Sequence, residues 1–329
     1  MLPKSARDVP EESNVLKRSL RQLLETRAGS FPRAVIDRKS FRRARNSLLQ
    51  DSRRNGVKAA SLGFFRDLKS GKMAETFFIL GSGESVNLLT ENHYEIVRSE
   101  LSAGINHWTL HDFVPDLYFF EPVALSRKGR SPSPLDGSAI NHLNHLRVLD
   151  RDSVHHSGAR ILSLAPRSEF EMAQIQQIPP SLRNRLKFYS RFTPFTRNPS
   201  NLTGDWMRSL TLSDGEPGAL IVPDSGATLA RLLAIGVLSQ FQRIVLLGVD
   251  LSTTYFWQGE TAALASPAFR EFPQPNKGGI HATVRADIRP FSIIDVVRAY
   301  REICAIRGID LMIRSDSSKL KSLLPTFEW

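Results

Sequence analysis

From residue 75 onward the chain alternates short apolar runs with stretches of helical periodicity. The runs predict strands at 76–81, 102–106, 116–121, 160–164, 185–189, 219–222, 243–249 and 309–313. The periodic stretches predict helices at 88–98, 138–151, 228–238, 292–307 and 317–324. The clearest is 292–307. Ser292 suits an N-cap with Asp295 three residues on, and Gly308 ends the helix. Ile293, Ile294, Val296, Val297, Tyr300, Ile303, Cys304 and Ile306 form its apolar face. Strands alternating with helices of this length predict an α/β fold. The expected architecture is a Rossmann-like, mainly parallel sheet with helices on both faces.

Residues 1–74 have a different texture. Val15, Leu16, Leu20, Leu23 and Leu24 mark a basic amphipathic helix, broken by Gly29 and Pro32. Phe41, Leu48, Leu49, Leu62, Phe64 and Phe65 suggest further short helices. The expected organisation is a basic helical extension at 1–74 and an α/β domain at 75–329, with a lid-like segment at about 252–290.

Charge adds a question of partners. The net charge is +11. Much of the excess falls between Lys17 and Arg66, where acidic residues are few. Such a stretch suits nucleic acid, anionic lipid or an acidic polymer. No nucleic-acid-binding motif is present and no aromatics are interleaved with the cations, so no specific nucleic-acid partner is expected. Peripheral contact of residues 1–74 with an anionic membrane and self-association both remain open. No run approaches the ~20 apolar residues of a spanning helix. The start lacks the apolar core of a secretory signal. Cys304 is the only cysteine, which excludes an intrachain disulfide and a cysteine zinc cluster. These features predict a cytoplasmic protein, peripheral at the inner face of the membrane if residues 1–74 hold it there.

In open α/β sheets ligands sit outside the carboxyl ends of the strands. After the first predicted strand stand Ser82, Gly83 and Ser85, in a Gly-Ser-Gly-x-Ser turn that leads towards a helix. Glycines allow close approach, and free N–H groups at a helix start suit an anionic group such as phosphate. The turn is neither a Walker A loop nor a complete G-x-G-x-x-G. After the later strands come Asn106, Glu121, Asp224-Ser225-Gly226-Ala227-Thr228, and Asp250 with Ser252 to Tyr255. These hydroxylic and amide residues suit a nucleotide's phosphate and ribose better than a metal cage, and no metal site is expected.

In order along the chain, Gly81-Ser82-Gly83-Glu84-Ser85, Gly104-Ile105-Asn106, Asp224-Ser225-Gly226-Ala227-Thr228, Gly248-Val249-Asp250 and His281 resemble the bacterial sialyltransferases of glycosyltransferase family 42. The resemblance spans about 75–325. It implies a GT-A-like sialyltransferase architecture and an inverting, metal-independent transferase with a CMP-activated sugar as donor substrate and a surface glycan as acceptor. The donor sugar would be sialic acid or a related nonulosonic or ulosonic acid. No separate cofactor is implied. By the same resemblance Ser82, Gly83, Ser85 and Asn106 hold the nucleotide. Ser225, Gly226 and Thr228 meet the donor sugar or its carboxylate. Asp250 lies at the nucleotide edge, His281 is the general base, and Tyr255 donates to the departing phosphate. The family uses two lid tyrosines, whereas Tyr255 is the only tyrosine in 252–290; His281, Lys277, Arg285 or Arg289 can substitute electrostatically. Glu84 stands where a proline is common.

The chemistry is coherent. Histidine titrates near pH 7 and can accept the proton of an incoming hydroxyl. Tyr O–H, backbone N–H and Lys or Arg can stabilise the departing phosphate. Among the other histidines, His142, His145, His155 and His156 read as surface residues, and His107 and His111 flank Trp108. Two alternatives stay open. Hydroxymethylpterin diphosphokinase-like proteins share the Gly-Ser-Gly-x-Ser turn; that reading needs ATP and magnesium, with Asp224 and Asp250 as ligands. A non-catalytic nucleotide- or polyanion-binding protein is the other.

Overall fold

The computed structural model describes residues 30–122, 158–178, 180–194, 196, 198–216, 218–252, 255–256, 291–315 and 317–329. Its strands are β1 (Thr76–Leu80), β2 (Leu101–Gly104), β3 (Leu117–Phe120), β4 (Arg160–Leu164), β5 (Leu186–Phe192), β6 (Ile221–Pro223), β7 (Arg243–Leu247) and β8 (Asp310–Arg314). All eight predicted strands are present. They form one sheet in the order β6-β5-β4-β3-β2-β1-β7-β8, and every pairing is parallel.

Strand side chains alternate between two cores, as the two-residue strand period requires. Phe77, Ile79, Phe119, Leu162, Ile244 and Leu246 enter one core. Phe78, Leu80, Phe120, Ile161, Val245 and Leu247 enter the other. The first core is covered by α2 (Leu62–Lys72), α6 (Leu202–Asp214), α7 (Thr228–Leu238) and α8 (Ile293–Arg307). The second is covered by α1 (Ser30–Asn55), α3 (Glu91–Ser99) and α4 (Glu169–Gln176), with the short α5 (Pro180–Arg183) and the C-terminal Phe327. Helices therefore cover both faces, as expected.

Two elements and two single residues differ from the sequence-based expectation. Residues 317–324 form turns instead of a helix. Ser318 Oγ is directed at the loop after β7, donating to the Val249 carbonyl at 2.7 Å, and it accepts from Leu320 N–H within the turn at 3.1 Å. Serines competing for backbone partners in this way disfavour a helix. The stretch 88–98 starts as a helix only at Glu91, after a short 3-10 turn over Glu84–Leu88. Ile306, placed on the apolar face of the 292–307 helix, is exposed, as is Leu88 at the start of the predicted 88–98 helix. The helix at 292–307 forms as predicted, with a Ser292–Asp295 capping box and Gly308 in the left-handed region. The predicted helix at 138–151 lies outside the described residues.

The described part of residues 1–74 shares the main core. Phe41 and Leu48 of α1 pack in the second core, and Leu62 and Phe65 of α2 pack in the first. Between these helices, Ala59 pairs in parallel with Phe188 of β5. Ala60 N–H donates to the Phe188 carbonyl at 2.7 Å, and Phe188 N–H donates to Lys58 at 3.0 Å. Leu220 N–H continues the line by donating to the Ala60 carbonyl at 2.6 Å. Residues 58–60 thus flank the first half of β5, where β6 does not reach. No described helix is long and apolar enough to cross a membrane.

Candidate functional site

The strand order reverses at β1. Strands β2 to β6 lie on one side of it, and β7 and β8 on the other. The carboxyl ends of β1 and β7 therefore frame the crevice where open parallel sheets place ligands. The two loops that leave it are tightly joined. Gly81 N–H donates to Leu247 and Gly83 N–H to Gly248, both at 2.7 Å. A Cβ on Gly81 would sit 2.5 Å from the Gly248 carbonyl oxygen, and one on Gly83 would sit 2.4 Å from Asp250 Oδ2. These glycines are demanded by loop-on-loop contact. Gly248, at φ +65, needs the left-handed region as well.

Asp250 is the centre of this notch. Its carboxylate accepts from Ser85 N–H at 2.8 Å, Ser85 Oγ at 2.5 Å and Ser315 Oγ at 2.7 Å. It thereby caps the 3-10 turn over Glu84–Leu88, whose first N–H groups carry partial positive charge. Ser82 Oγ donates to the Ile105 carbonyl at 3.3 Å. The hydroxyls of Ser82 and Ser85 are both buried and both bonded to protein groups. Tyr255 closes the notch by pairing with Gly83, while Phe256 N–H donates to Ser82 at 3.2 Å. Burial raises the pKa of the Tyr255 phenol, so it stays a donor at neutral pH. Asn106 opens the 3-10 turn Asn106–Leu110 after β2.

The chain returns to this crevice from the far edge of the sheet. After β6, Gly226 N–H donates to Asp224 Oδ1 at 2.8 Å with Gly226 at φ +86. Ser225 is half-buried and Gly226 exposed. Thr228 starts α7, and its Oγ1 donates to Glu121 Oε1, after β3, at 2.6 Å. α7 then crosses the sheet to β1 and β7, where Gly236 faces Ile244 and Phe77. This crossover brings the Ser225–Thr228 segment to the end of β3. Two strand spacings separate β3 from β1, roughly 10 Å.

Beneath Thr228 lies a charged floor. The Arg231 guanidinium is 1% exposed. It pairs with Glu121 and lies 3.4 Å from Asp224 Oδ1. Arg191 of β5 pairs with the other Asp224 oxygen at 2.9 Å. Arg167, after β4, donates to the Arg191 carbonyl at 3.1 Å. Burial pulls the Arg231 pKa down, but Tyr189, Glu121 and Asp224 outweigh it and hold the group firmly cationic. Three guanidiniums, those of Arg231, Arg191 and Arg167, share this floor with three carboxylates, Glu121, Asp224 and Glu171, the last accepting from Arg167 N–H. Arg231 Nε and Nη1 and the Tyr189 hydroxyl are buried without a hydrogen-bond partner. Sequence reasoning missed Arg231, Arg191, Arg167 and Ser315. One signal was available: Arg231 is the only charged residue in an otherwise apolar helix.

Two further assignments are clarified. His111 is packed, stacked on Trp108 at 4.5 Å between ring centroids. Its Nδ1 accepts from Phe113 N–H at 2.9 Å, and its Nε2 lies 3.0 Å from the Tyr94 hydroxyl. Burial lowers its pKa to about 4, so it is neutral. Asp224 and Asp250, named as possible ligands in the diphosphokinase alternative, belong to separate networks, one with arginines and one with serines. Among the described residues no three His, Cys, Asp or Glu side chains come together as metal ligands. His281 lies outside the described residues.

No protein-family model matches the chain, and no curated protein matches it. Among solved structures it is similar to the sialyltransferase CstII from Campylobacter jejuni in complex with the substrate analogue CMP-3FNeuAc. That likeness is at 10% identity and a TM-score of 0.39, covering 77% of this chain and 86% of the other. A sialyltransferase CST-II structure with a trisaccharide acceptor and CMP aligns at 10% identity and a TM-score of 0.38, covering 76% and 85%. At this level the likeness is confined to the outline of the fold.

Proposed function

We propose that the chain is an inverting glycosyltransferase that takes a CMP-activated sugar and transfers it to a surface glycan. The supporting observation is the pairing of two unlike subsites over one crevice. The serine-lined β1/β7 notch lies two strand spacings, roughly 10 Å, from the arginine-rich floor under Thr228. Under this proposal the nucleoside lies over the first and the anionic end of the donor over the second. In this reading Ser82, Gly83, Ser85 and Asp250 shape the notch, and Asn106 and Tyr255 line it. Ser225, Gly226 and Thr228, backed by Arg191, receive the phosphate or the sugar carboxylate.

The reaction is a single displacement. The acceptor oxygen forms a bond to the anomeric carbon as the bond from that carbon to the phosphate oxygen breaks. The bonding pair leaves with CMP, and the acceptor proton passes to His281. Inversion at the anomeric carbon follows. Tyr255 and the helix start at Thr228 supply donors to the departing phosphate. No step in this form calls for a metal. The donor is the sugar nucleotide of sialic acid or a related ulosonic acid.

Turnover of CMP-sugar with His281→Ala tests the mechanism. The rate falls about 10²–10⁴-fold if His281 is the base, while CMP affinity is kept. Unchanged turnover refutes the assignment. A thermal shift with ATP that depends on magnesium, with none for CMP, overturns the reading in favour of the diphosphokinase alternative.

A further inference from the structure

The opposite end of the sheet carries a second feature. At the amino ends of β4 and β5 lies a pocket of ≈ 480 Å³, lined among others by Lys58, Arg160, Arg183, Arg185 and Lys187, with no acidic residue among the described residues of its lining. Length alone separates it from the crevice: β5 spans seven residues, roughly 20 Å. Lys58 is delivered by the segment that flanks β5, Arg160 opens β4, and Lys187 is the second residue of β5.

Among the described residues none of these five cations forms an ion pair with a carboxylate. Arg183 is held by backbone carbonyls of Ile178 and Gln176. The Lys187 amine lies 5.0 Å from the Phe64 ring centroid. Arg185 Nη1 is shielded from solvent and has no hydrogen-bond partner. The crowding has an electrostatic signature: burial first, then Lys58 and Arg160, lower the pKa of Lys187. Like charges gathered around a concavity, with a buried donor left over, form a receptor for negative charge.

We infer that this pocket binds a phosphate-bearing group through Lys58, Arg160, Arg185 and Lys187, at a site separate from the crevice. A carboxylate would neutralise one charge of the cluster. A phosphomonoester carries about two at pH 7 and offers three acceptor oxygens. The volume accommodates a sugar phosphate or a phosphorylated head group, within the ~300–1,000 Å³ of small-ligand sites. The inference does not rest on the proposed transferase activity.

The test uses the full chain in two arms. One arm titrates inorganic pyrophosphate by calorimetry. The other measures flotation with phosphatidylcholine vesicles carrying on the order of 20% phosphatidic acid. Each arm compares wild type, R160Q/K187Q and K39Q/R43Q. The last pair sits on exposed turns of α1, roughly 20 Å along the helix from the pocket, and removes the same charge. Pocket binding predicts at least an about tenfold loss of affinity in R160Q/K187Q and less than about twofold in K39Q/R43Q. Loss in the pyrophosphate arm marks a soluble phosphate as the ligand; loss on vesicles alone marks a lipid head group. Equal losses in both variants show diffuse attraction to a basic surface and overturn the site, as does a wild type that binds neither probe. Melting curves of R160Q/K187Q confirm that it is folded, and K58Q gives an independent reading if it is not.

Discussion

The two ends of the sheet treat positive charge in opposite ways. At the carboxyl ends, Arg231 and Arg191 are matched to Glu121 and Asp224, and Asp250 is matched to neutral serine donors. At the amino ends of β4 and β5 the cations have no carboxylate partners among the described residues. Matched charges at the carboxyl ends are fixed in place by their partners, as a site that orients a reaction requires. Unmatched charges at the other end stay repulsive until an anion arrives. The difference also separates residues whose loss harms folding from residues whose loss harms binding.

The largest expected effect is at Arg231. Arg231→Leu leaves Asp224 and Glu121 without their shared cation and should destabilise the fold by about 3–5 kcal/mol in denaturant unfolding. A change below 1 kcal/mol would mean that the buried network is not a structural unit.

The next effect comes from pH. His111 has a pKa of about 4 in the fold, against about 6.5 unfolded. Between these values the unfolded chain binds the extra proton, so stability rises with pH. The contribution is complete above pH 6.5 and is lost as pH falls towards 4, by up to about 3 kcal/mol. Thermal melts from pH 4 to 7 should show this slope, and His111→Gln should flatten it. An unchanged slope in that variant would assign the effect to other groups.

Gly248→Ala comes next. Its Cβ would lie 2.4 Å from the Gly81 carbonyl oxygen at a residue with φ +65. A cost of about 1–3 kcal/mol is expected from the clash and the strained backbone. A neutral result would show that the two loops can separate freely.

The smallest effect has the opposite sign. Arg160→Gln removes one member of a like-charged cluster. Stability should stay within about 1 kcal/mol of wild type, shifted upward at low salt and converging with it at high salt. A large loss would mean that Arg160 has a structural partner.

The sheet was legible because its strands are apolar runs buried on both faces and broken by Gly, Pro and polar turns. Strand order was not legible, since it depends on how α7 returns from β6 to β1. That crossover alone brings Thr228 to Glu121, a link across 107 positions. The residue types after the strands pointed to the carboxyl ends as a concentration of polar groups. Their partners could not be read: Ser85 donates to Asp250, 165 positions away, and no local pattern encodes such a pair. The turn at 317–324 misled because Leu320, Leu323 and Leu324 sit at helical spacing while the Ser318 hydroxyl bonds the β7 loop. The integration of residues 58–60 beside β5 was hidden for the same reason.

The central claim is that the crevice at the carboxyl ends takes a cytidine nucleotide. The most direct measurement is the thermal unfolding of the full chain with CMP, UMP, ADP and ATP, with and without magnesium. At about a hundred times its Kd, a bound nucleotide adds ~2.7 kcal/mol. A shift selective for CMP, independent of magnesium and reduced in Thr228→Ala, is the predicted result. A shift with ATP that requires magnesium, or no shift with CMP at millimolar concentration, would contradict it.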